Sequence, residues 1–233
     1  MAKKNKKANF TPSPGQIAWG VLYLAVQYTV LGELLGRLYG LLGLNLSLSV
    51  QNFIYFCVNF LAAVVIFRKY LANHLSSLGK NWWDCLKALI LGYVFYWVSN
   101  YALSWALSRL IPGFANLNDG QVALLLRENF YLMAIGVVIL APVAEEVFYR
   151  GLVFGSLYSR SRAAAYIISC LLFSAIHVLG YIGSASAWVV LGCFLQYIPA
   201  GLCLAWSFQE SGSIFVPITI HILVNALGIF SVR

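Results

Sequence analysis

Residues 137–150 read VVILAPVAEEVFYR, an apolar run that ends in two adjacent carboxylates and an arginine. Glu146 and Arg150 are four residues apart and can pair along one helix face, whereas Glu145 is rotated about 100° from Glu146 and can point elsewhere. Charged residues at membrane depth are costly unless they are paired or hydrated, so they usually line a functional site. Glu145 is therefore a candidate general base. The alternative is a cluster of charges where a helix ends at the membrane surface.

The composition around this stretch excludes a soluble protein. Of 233 residues, 61% are hydrophobic and only 9% are charged, and the mean hydropathy is +0.82. Soluble domains carry about 25% charged residues, so a chain with so few charges could not cover its surface in water. The sequence therefore predicts an all-α fold, a polytopic transmembrane helix bundle in a lipid bilayer with a polar intramembrane site.

Seven apolar segments are long enough to be candidate spans. They cover residues 17–42, 50–67, 85–111, 122–158, 163–179, 187–208 and 214–230. The fourth is too long for one straight crossing, and Pro142 interrupts it, so the bundle has seven spans or, if this segment is two helices, eight. We favour one broken crossing, because an eighth span would place Arg160 and Arg162 outside the cell.

Basic residues at the ends of these segments predict the orientation. The net charge is +8, but the cations do not form the single patch that nucleic-acid binding requires. They lie on the N-terminal tail and where apolar runs end: Lys3, Lys4, Lys6, Lys7, Arg68, Lys69, Lys80, Arg160 and Arg162. The positive-inside rule then predicts a cytoplasmic N-terminus, and we expect a bacterial plasma membrane.

Other polar residues in the apolar spans are weak signals when each is taken alone. His177 follows Phe173 by four residues in the fifth span, and by itself it is more typical of a structural histidine. His221 and Asn225 share one helix face in the seventh span, where hydrogen bonding between helices is an equal alternative. The pair Glu33 and Arg37 in the first span fits a structural or pore-lining role better than catalysis. Together, the C-terminal spans concentrate the strongest polar residues in a way that predicts one shared site.

The three motifs EExxxR, FxxxH and HxxxN occur in this order, each in an apolar span. In this respect residues 122–230 resemble the CPBP family of intramembrane peptidases, which includes CAAX prenyl-protein endopeptidases and bacteriocin-processing or immunity proteins. The resemblance implies a peptidase whose site opens toward the cytoplasm. The roles that it implies are pairwise: water activation by Glu145 and His177, oxyanion stabilisation by His221 and Asn225, and positioning by Glu146 and Arg150.

The apolar spans and the resemblance together lead us to expect an organisation and a set of partners. We expect a basic cytoplasmic tail at residues 1–16, N-terminal transmembrane helices at 17–121 and a CPBP-like catalytic core at 122–233. The expected substrate is a peptide or a membrane protein, lipidated or not, and no nucleic acid. No cofactor is expected, although Glu145, His177 and His221 offer a His₂Glu set for zinc without an HExxH motif. A non-catalytic immunity or scaffold protein and a proton-coupled transporter are the alternative functions.

Overall fold

The computed structural model describes residues 10–230, and the regular structure of that range is helical, with one isolated bridge between Ile182 and Ala185. The predicted all-α fold is therefore confirmed for the described residues. The tail lysines Lys3, Lys4, Lys6 and Lys7 lie outside them. The described range contains eight helices: α1 Pro14–Leu41, α2 Leu48–Leu78, α3 Trp82–Leu110, α4 Leu117–Glu128, α5 Phe130–Tyr158, α6 Arg162–Ile176, α7 Ala187–Ser211 and α8 Phe215–Phe230.

Four of these helices, α1, α2, α5 and α7, are both long enough and apolar enough to cross a membrane. Helices α6 and α8 are apolar but shorter, and α3 has 29 residues. These helices are those of an integral membrane protein, but they do not confirm a count of seven or eight spans, which stays a prediction. The division of the chain at residue 122 also stays a prediction, since Phe67, Phe148 and Phe208 from both sides of it share one buried core.

The fourth predicted span is divided at a different place from the one expected. The chain breaks at Asn129, whose extended backbone (φ −150°, ψ 91°) ends α4 and whose side chain accepts a hydrogen bond from the Leu132 N–H at 3.3 Å. Helix α5 then runs without a break through Pro142. The prediction of an interruption at Pro142 was therefore wrong.

A π-helical register explains why Pro142 does not break α5. Residues Gly136–Leu140 form π turns, in which the Ala141 N–H bonds to the Gly136 carbonyl five residues earlier. In this register the carbonyl of Val137 would receive its bond from residue 142, and proline has no N–H to donate. The side-chain amide of Asn225 in α8 donates to that carbonyl instead, at 2.9 Å. A distant helix thus replaces the missing backbone bond.

Contacts between helix termini define one end of the bundle, called the basic end here. Phe10 packs against Tyr158 with ring centroids 4.8 Å apart, and its carbonyl accepts a hydrogen bond from the Tyr70 hydroxyl at 3.0 Å. Arg162 donates to Gln209 at 3.0 Å, which joins the start of α6 to the end of α7. The basic end therefore contains residues 10–16, 68–84, 155–166 and 208–215.

The opposite end of the bundle is called the far end. There the backbone N–H of Ser49, near the start of α2, donates to the Glu128 carboxylate at the end of α4 at 2.8 Å. Asn116, which precedes α4, donates to Gln196 in α7 at 2.8 Å. The far end contains residues 42–48, 111–130, 177–187 and 225–230, and α5 runs from it to the basic end.

Candidate active site

A cavity of about 460 Å³ lies among α3, α4, α5, α6, α7 and α8, with Phe56 of α2 at its wall. Four of the six predicted site residues line it, namely Glu145, His177, His221 and Asn225. The other two, Glu146 and Arg150, are fully buried behind its wall. The structure therefore brings the three motifs to one place, with a front row that faces the cavity and a back row that does not.

Glu145 stands between the two histidines. Its Oε2 atom lies 3.9 Å from Nε2 of His177 and 3.9 Å from Nε2 of His221. Both separations are too long for a direct hydrogen bond. This Oε2 atom is buried and has no hydrogen-bond partner among the described residues, although the side chain as a whole keeps 23% of its accessible surface. A carboxylate oxygen without a partner, aimed at two imidazoles, can hold a small polar molecule between them.

His177 is fixed by the residue that opens its own motif. Its Nδ1 lies 2.7 Å from the Phe173 carbonyl, so Nδ1 carries the proton and donates to that carbonyl. In the neutral ring this leaves Nε2 as an acceptor facing Glu145. The ring of Tyr197 in α7 stacks on the imidazole, with centroids 4.0 Å apart and an interplanar angle of 19°. One hydrogen bond and one stacked ring therefore set the orientation of His177.

His221 is fixed by the back row. Its Nδ1 lies 2.9 Å from Oε1 of Glu146, and the same oxygen accepts a hydrogen bond from Nη1 of Arg150 at 3.1 Å. The predicted pairing of Glu146 with Arg150 along one helix face is thus confirmed in geometry. Because Nδ1 of His221 is held by a carboxylate, Nε2 of this ring is directed at the cavity and at Glu145.

Arg150 is one of the largest fully buried side chains in the described range. Nη2 donates to the Gly201 carbonyl at 3.3 Å, and the guanidinium lies 4.2 Å from the centroid of the Phe173 ring. A Cβ atom on Gly201 would lie 2.5 Å from the sulfur of Cys170, so glycine is needed where α7 approaches α6 this closely. Phe173 therefore supports both Arg150, through its ring, and His177, through its carbonyl.

Asn225 points one face of its amide at the backbone and the other at the cavity. One N–H of its Nδ2 group donates a hydrogen bond to the Val137 carbonyl. The second N–H of the same NH₂ group is available as a donor in the cavity. Asn225 lines the cavity together with His221, one turn away on the same face of α8, as the sequence predicts. The π register of α5 and the position of Asn225 are therefore coupled.

A second polar group lines the outer part of the cavity, and sequence reasoning missed it. We call it the outer rim: Asn116, Asn118, Asp119, Gln196 and Tyr197. The Tyr197 hydroxyl donates to the Asp119 carboxylate at 3.2 Å and accepts from the Asn118 amide at 3.0 Å. The side chain of Asp119 keeps an exposed surface, but the protein around its carboxyl displaces part of the water, and this desolvation raises the pKa of the carboxyl, whereas the hydrogen bond from Tyr197 opposes the rise. A glutamine inside a predicted span, Gln196, was the signal in the sequence that could have revealed this group.

The cavity is closed toward the basic end and open toward the far end. Its floor contains Phe173, Leu204 and Ile220, which are only 1%, 3% and 0% exposed, whereas Asp119 at the other end is exposed. The resemblance implies a site that opens at the cytoplasmic face, and the positive-inside rule predicts that the basic loops lie at that same face. These two expectations conflict, because the cavity that Glu145 and His177 line extends to Asn118, Asp119 and Gly228 at the far end.

The pair Glu33 and Arg37 forms the predicted i,i+4 ion pair, but both side chains are exposed and neither lines the cavity. The structural or pore-lining role of this pair therefore stays a prediction. All five cysteines are free thiols.

The described residues do not form a zinc site as they stand. Zinc with ligands at 2.0–2.1 Å in tetrahedral geometry holds them roughly 3.4 Å apart. Oε2 of Glu145 lies 3.9 Å from each histidine nitrogen, about half an ångström too far. Among residues 10–230 no group of three or more His, Cys, Asp or Glu side chains could hold a metal ion.

Comparison with known protein families gives an independent result. Residues 127–227 match the family model described as Rce1-like, type II CAAX prenyl endopeptidase. This interval contains the EExxxR, FxxxH and HxxxN motifs, and the match confirms the resemblance on which the expected peptidase class rests. No curated protein and no solved structure gives a significant match. Together with the four long apolar helices, the match identifies an integral membrane protease.

Proposed function

Residues 127–227 of this chain form a domain of the Rce1-like family of type II CAAX prenyl endopeptidases, and on this premise we propose that Glu145 activates the water that hydrolyses the peptide bond. The observation that carries the proposal is the placement of the Glu145 carboxylate 3.9 Å from both His177 and His221 in one cavity. Peptide hydrolysis needs an activated nucleophile and stabilisation of the oxyanion. In this proposal the nucleophilic water is activated on the His177 side of Glu145, and the oxyanion is stabilised on the His221 side.

A water molecule fits between Glu145 and His177. Two acceptors that share one water through linear hydrogen bonds are roughly 4.4 Å apart, close to the 3.9 Å between Oε2 and Nε2. Since Nδ1 of His177 donates to Phe173, its Nε2 can accept one hydrogen of the water while Glu145 accepts the other. The lone pair of the water is then free to attack a carbonyl carbon. Glu145 takes the proton and returns it to the leaving amine.

His221 and Asn225 stabilise the oxyanion on the other side. The Nε2 atom of His221 donates a hydrogen bond only when the ring is an imidazolium, because Nδ1–H is already used by Glu146. The Glu146 carboxylate is then the counter-charge of that imidazolium. Asn225 contributes the N–H that the Val137 carbonyl does not use. A single donor of this kind contributes about 3–4 kcal/mol to the transition state.

Glu146 and Arg150 act as positioning residues rather than catalytic ones. Both are fully buried and reach the cavity only through others: Glu146 through His221, and Arg150 through Glu146 and the Phe173 ring. Buried ion pairs contribute little net stability. Here the shared Oε1 atom of Glu146 fixes Arg150 and His221 relative to each other, while Oε2 of Glu146 and Nε of Arg150 have no hydrogen-bond partner among the described residues. Their role in this proposal is to keep Nε2 of His221 directed at the cavity.

The substrate that the family name suggests is a peptide with a prenylated CAAX terminus. We therefore test hydrolysis with two probes, a farnesylated CAAX peptide and a mixed-sequence pool of quenched fluorogenic peptides, on the full chain purified in detergent. Glu145→Gln should lower the cleavage rate by about 10²–10⁴-fold, which is the usual contribution of a general base. The matched control Glu33→Gln removes an exposed carboxylate outside the cavity and should retain the wild-type rate.

The same experiment separates the alternatives. Equal rates for wild type and Glu145→Gln would overturn the assigned role of Glu145. Absence of cleavage by folded wild-type protein would favour the non-catalytic scaffold or the transporter. Metal analysis of the active protein decides on zinc: unchanged activity after chelation supports the water mechanism, whereas one bound zinc per chain with loss of activity on chelation supports the His₂Glu alternative.

A further inference from the structure

The cavity runs from the middle of the bundle toward the far end, away from the basic loops. In α5 it is lined by Val137 and Ala141, which belong to the half that begins at the far end, and by Glu145 at the middle of the helix. In α6 it is lined by Phe173 and by His177, which directly follows the last helical residue. The lining also includes the residues of α4 and the last turns of α8, which form the far end itself. The motif residues therefore face a space that leads away from the basic end.

The charges of the described residues differ between the two ends. Arg68, Lys69, Lys80, Arg160 and Arg162 lie at the basic end, in the short connections between α2 and α3 and between α5 and α6. Connections at the far end, by contrast, contain no Lys or Arg in residues 42–47, 111–116 and 177–186, and the cations that flank them are Arg109 and Arg127, fewer than the five at the basic end. An excess of Lys and Arg in short loops marks the cytoplasmic side of a membrane protein. The basic end is therefore the cytoplasmic end, and the far end is extracytoplasmic.

The lining of the cavity has a charge pattern of its own. None of the described residues that line it is Lys or Arg, and its two carboxylates are Glu145 and Asp119. A free peptide carboxylate is recognised by cationic side chains or by converging backbone N–H groups. The outer rim instead offers neutral amides, a tyrosine hydroxyl and one carboxylate. Such a rim suits an internal peptide segment that is neutral or basic, and it disfavours a chain that ends in a carboxylate.

We propose that the substrate reaches this site from the extracytoplasmic face and is an internal, neutral or basic segment of an exported or membrane-anchored protein. The inference rests on the proposed hydrolytic function and specifies its substrate class. It replaces the expectation of access from the cytoplasm. The juxtaposition that carries it is an open rim at the end without basic loops and a closed floor toward the end that has them.

The first experiment determines on which side the rim lies. Asp119→Cys and Gln121→Cys place a thiol at the far end, and Ser159→Cys places one in the exposed turn at the basic end. A membrane-impermeant sulfonated maleimide is applied to spheroplasts and to inside-out vesicles of the expression host, with the wild-type chain as the background for its five free cysteines. We expect the two far-end thiols to react in spheroplasts and Ser159→Cys to react in inside-out vesicles. The opposite labelling pattern would overturn the inference.

The second experiment determines from which side the site works. Impermeant quenched fluorogenic peptides, each as a free acid and as a C-terminal amide, are offered to right-side-out and inside-out vesicles, and the rate of Glu145→Gln is subtracted. We expect cleavage in right-side-out vesicles, several-fold faster for the amides. Cleavage confined to inside-out vesicles would overturn this inference and leave the proposed function intact. Absence of Glu145-dependent cleavage even after detergent is added would overturn the proposed function itself.

Discussion

Behind the inner end of the cavity Glu146 and Arg150 form a fixed ion pair, whereas at the outer rim neutral hydrogen bonds surround a single carboxylate. The inner pair Glu146 and Arg150 is fully buried and shares one oxygen with His221. At the rim, Asn118 and Asp119 meet at the Tyr197 hydroxyl, and Asp119 remains exposed. Both groups line or support the same space, but they differ in how much water remains around them.

This difference teaches how the site divides its tasks. A buried charge network cannot be altered in part, because removal of one partner leaves the other uncompensated in a low dielectric. It therefore suits geometry that must not vary, such as the direction of Nε2 of His221. A hydrated rim of amides and a hydroxyl adapts its hydrogen bonds to different partners at little cost, so it suits contact with variable substrate segments. The predictions below test this contrast.

The largest effect should follow from the loss of the buried arginine. Arg150→Met leaves Glu146 buried without its ionic partner, so we expect the free energy of unfolding to fall by about 3–5 kcal/mol. Arg37→Met is the matched control, since Arg37 forms an ion pair of the same i,i+4 spacing that is exposed, and it should change stability by less than about 0.5 kcal/mol. Thermal unfolding of both variants in detergent measures the difference. Equal effects would show that the buried pair Glu146 and Arg150 contributes no more to stability than the exposed pair Glu33 and Arg37.

A smaller effect should follow from the loss of the oxyanion donor. Asn225→Ala should lower kcat by about 10²–10³-fold, because one donor to the oxyanion is lost. Asn52→Ala is the control, since Asn52 also donates to a backbone carbonyl, that of Leu48 at 2.9 Å, but lies outside the cavity. Steady-state rates with the same peptide probe compare the two variants. If Asn225→Ala changed KM alone, Asn225 would bind substrate and not stabilise the transition state.

The motif residues of the cavity and of its back wall were predictable from the sequence because polar and charged residues are unusual in apolar spans. Glutamates, histidines and an arginine inside apolar spans are conspicuous, and their spacing fixes which of them share a helix face. The outer rim was not predictable in this way. Asn116, Asn118 and Asp119 read as an ordinary loop, and Tyr197 is one of 14 tyrosines with nothing in its local sequence to distinguish it.

The course of the fourth segment shows a second limit of the sequence. Proline breaks a helix because it removes an N–H and leaves a carbonyl unpaired. At Pro142 that carbonyl belongs to Val137, and its replacement donor, Asn225, is 88 residues further along the chain. A rule that considers only the residues next to a proline cannot predict a hydrogen bond from so distant a residue. The break at Asn129 was visible only as a polar residue in an apolar run, and its capping bond to Leu132 identifies it in the structure.

A moderate effect should follow from changes in the ring that joins the two regions. Tyr197→Leu removes the ring stacked on His177, and we expect activity to fall about 3–10-fold, in keeping with about 0.5–1.5 kcal/mol for an aromatic pair. Tyr197→Phe keeps the ring and loses only the hydroxyl contacts with Asp119, Asn118 and Asn116, so its activity should fall less than that of Tyr197→Leu. Measured kcat separates the two. A larger loss in Tyr197→Phe would mean that the rim contacts, and not the stack, are what His177 depends on.

The smallest effect concerns Asp119 and appears as a dependence of stability on pH. Partial desolvation raises the pKa of this carboxyl above its ordinary value of 3.8, so between 3.8 and the raised value the folded protein retains a proton that the unfolded chain has lost. Stability must then fall as pH rises through this window, and Asp119→Asn should abolish that fall. The effect is small because Asp119 remains partly in contact with water.

The melting temperatures of wild type and Asp119→Asn, followed from pH 4 upward, should therefore diverge with rising pH and then run parallel, with the variant the more stable. Tyr197→Phe sharpens the test. The Tyr197 hydroxyl donates to the ionised carboxylate and opposes the rise in the pKa of Asp119, so its removal should widen the window over which stability falls. A wild-type curve parallel to that of Asp119→Asn at every pH would mean that water reaches the rim freely. The buried pair Glu146 and Arg150 would then be compared with a fully hydrated rim and not with a partly desolvated one.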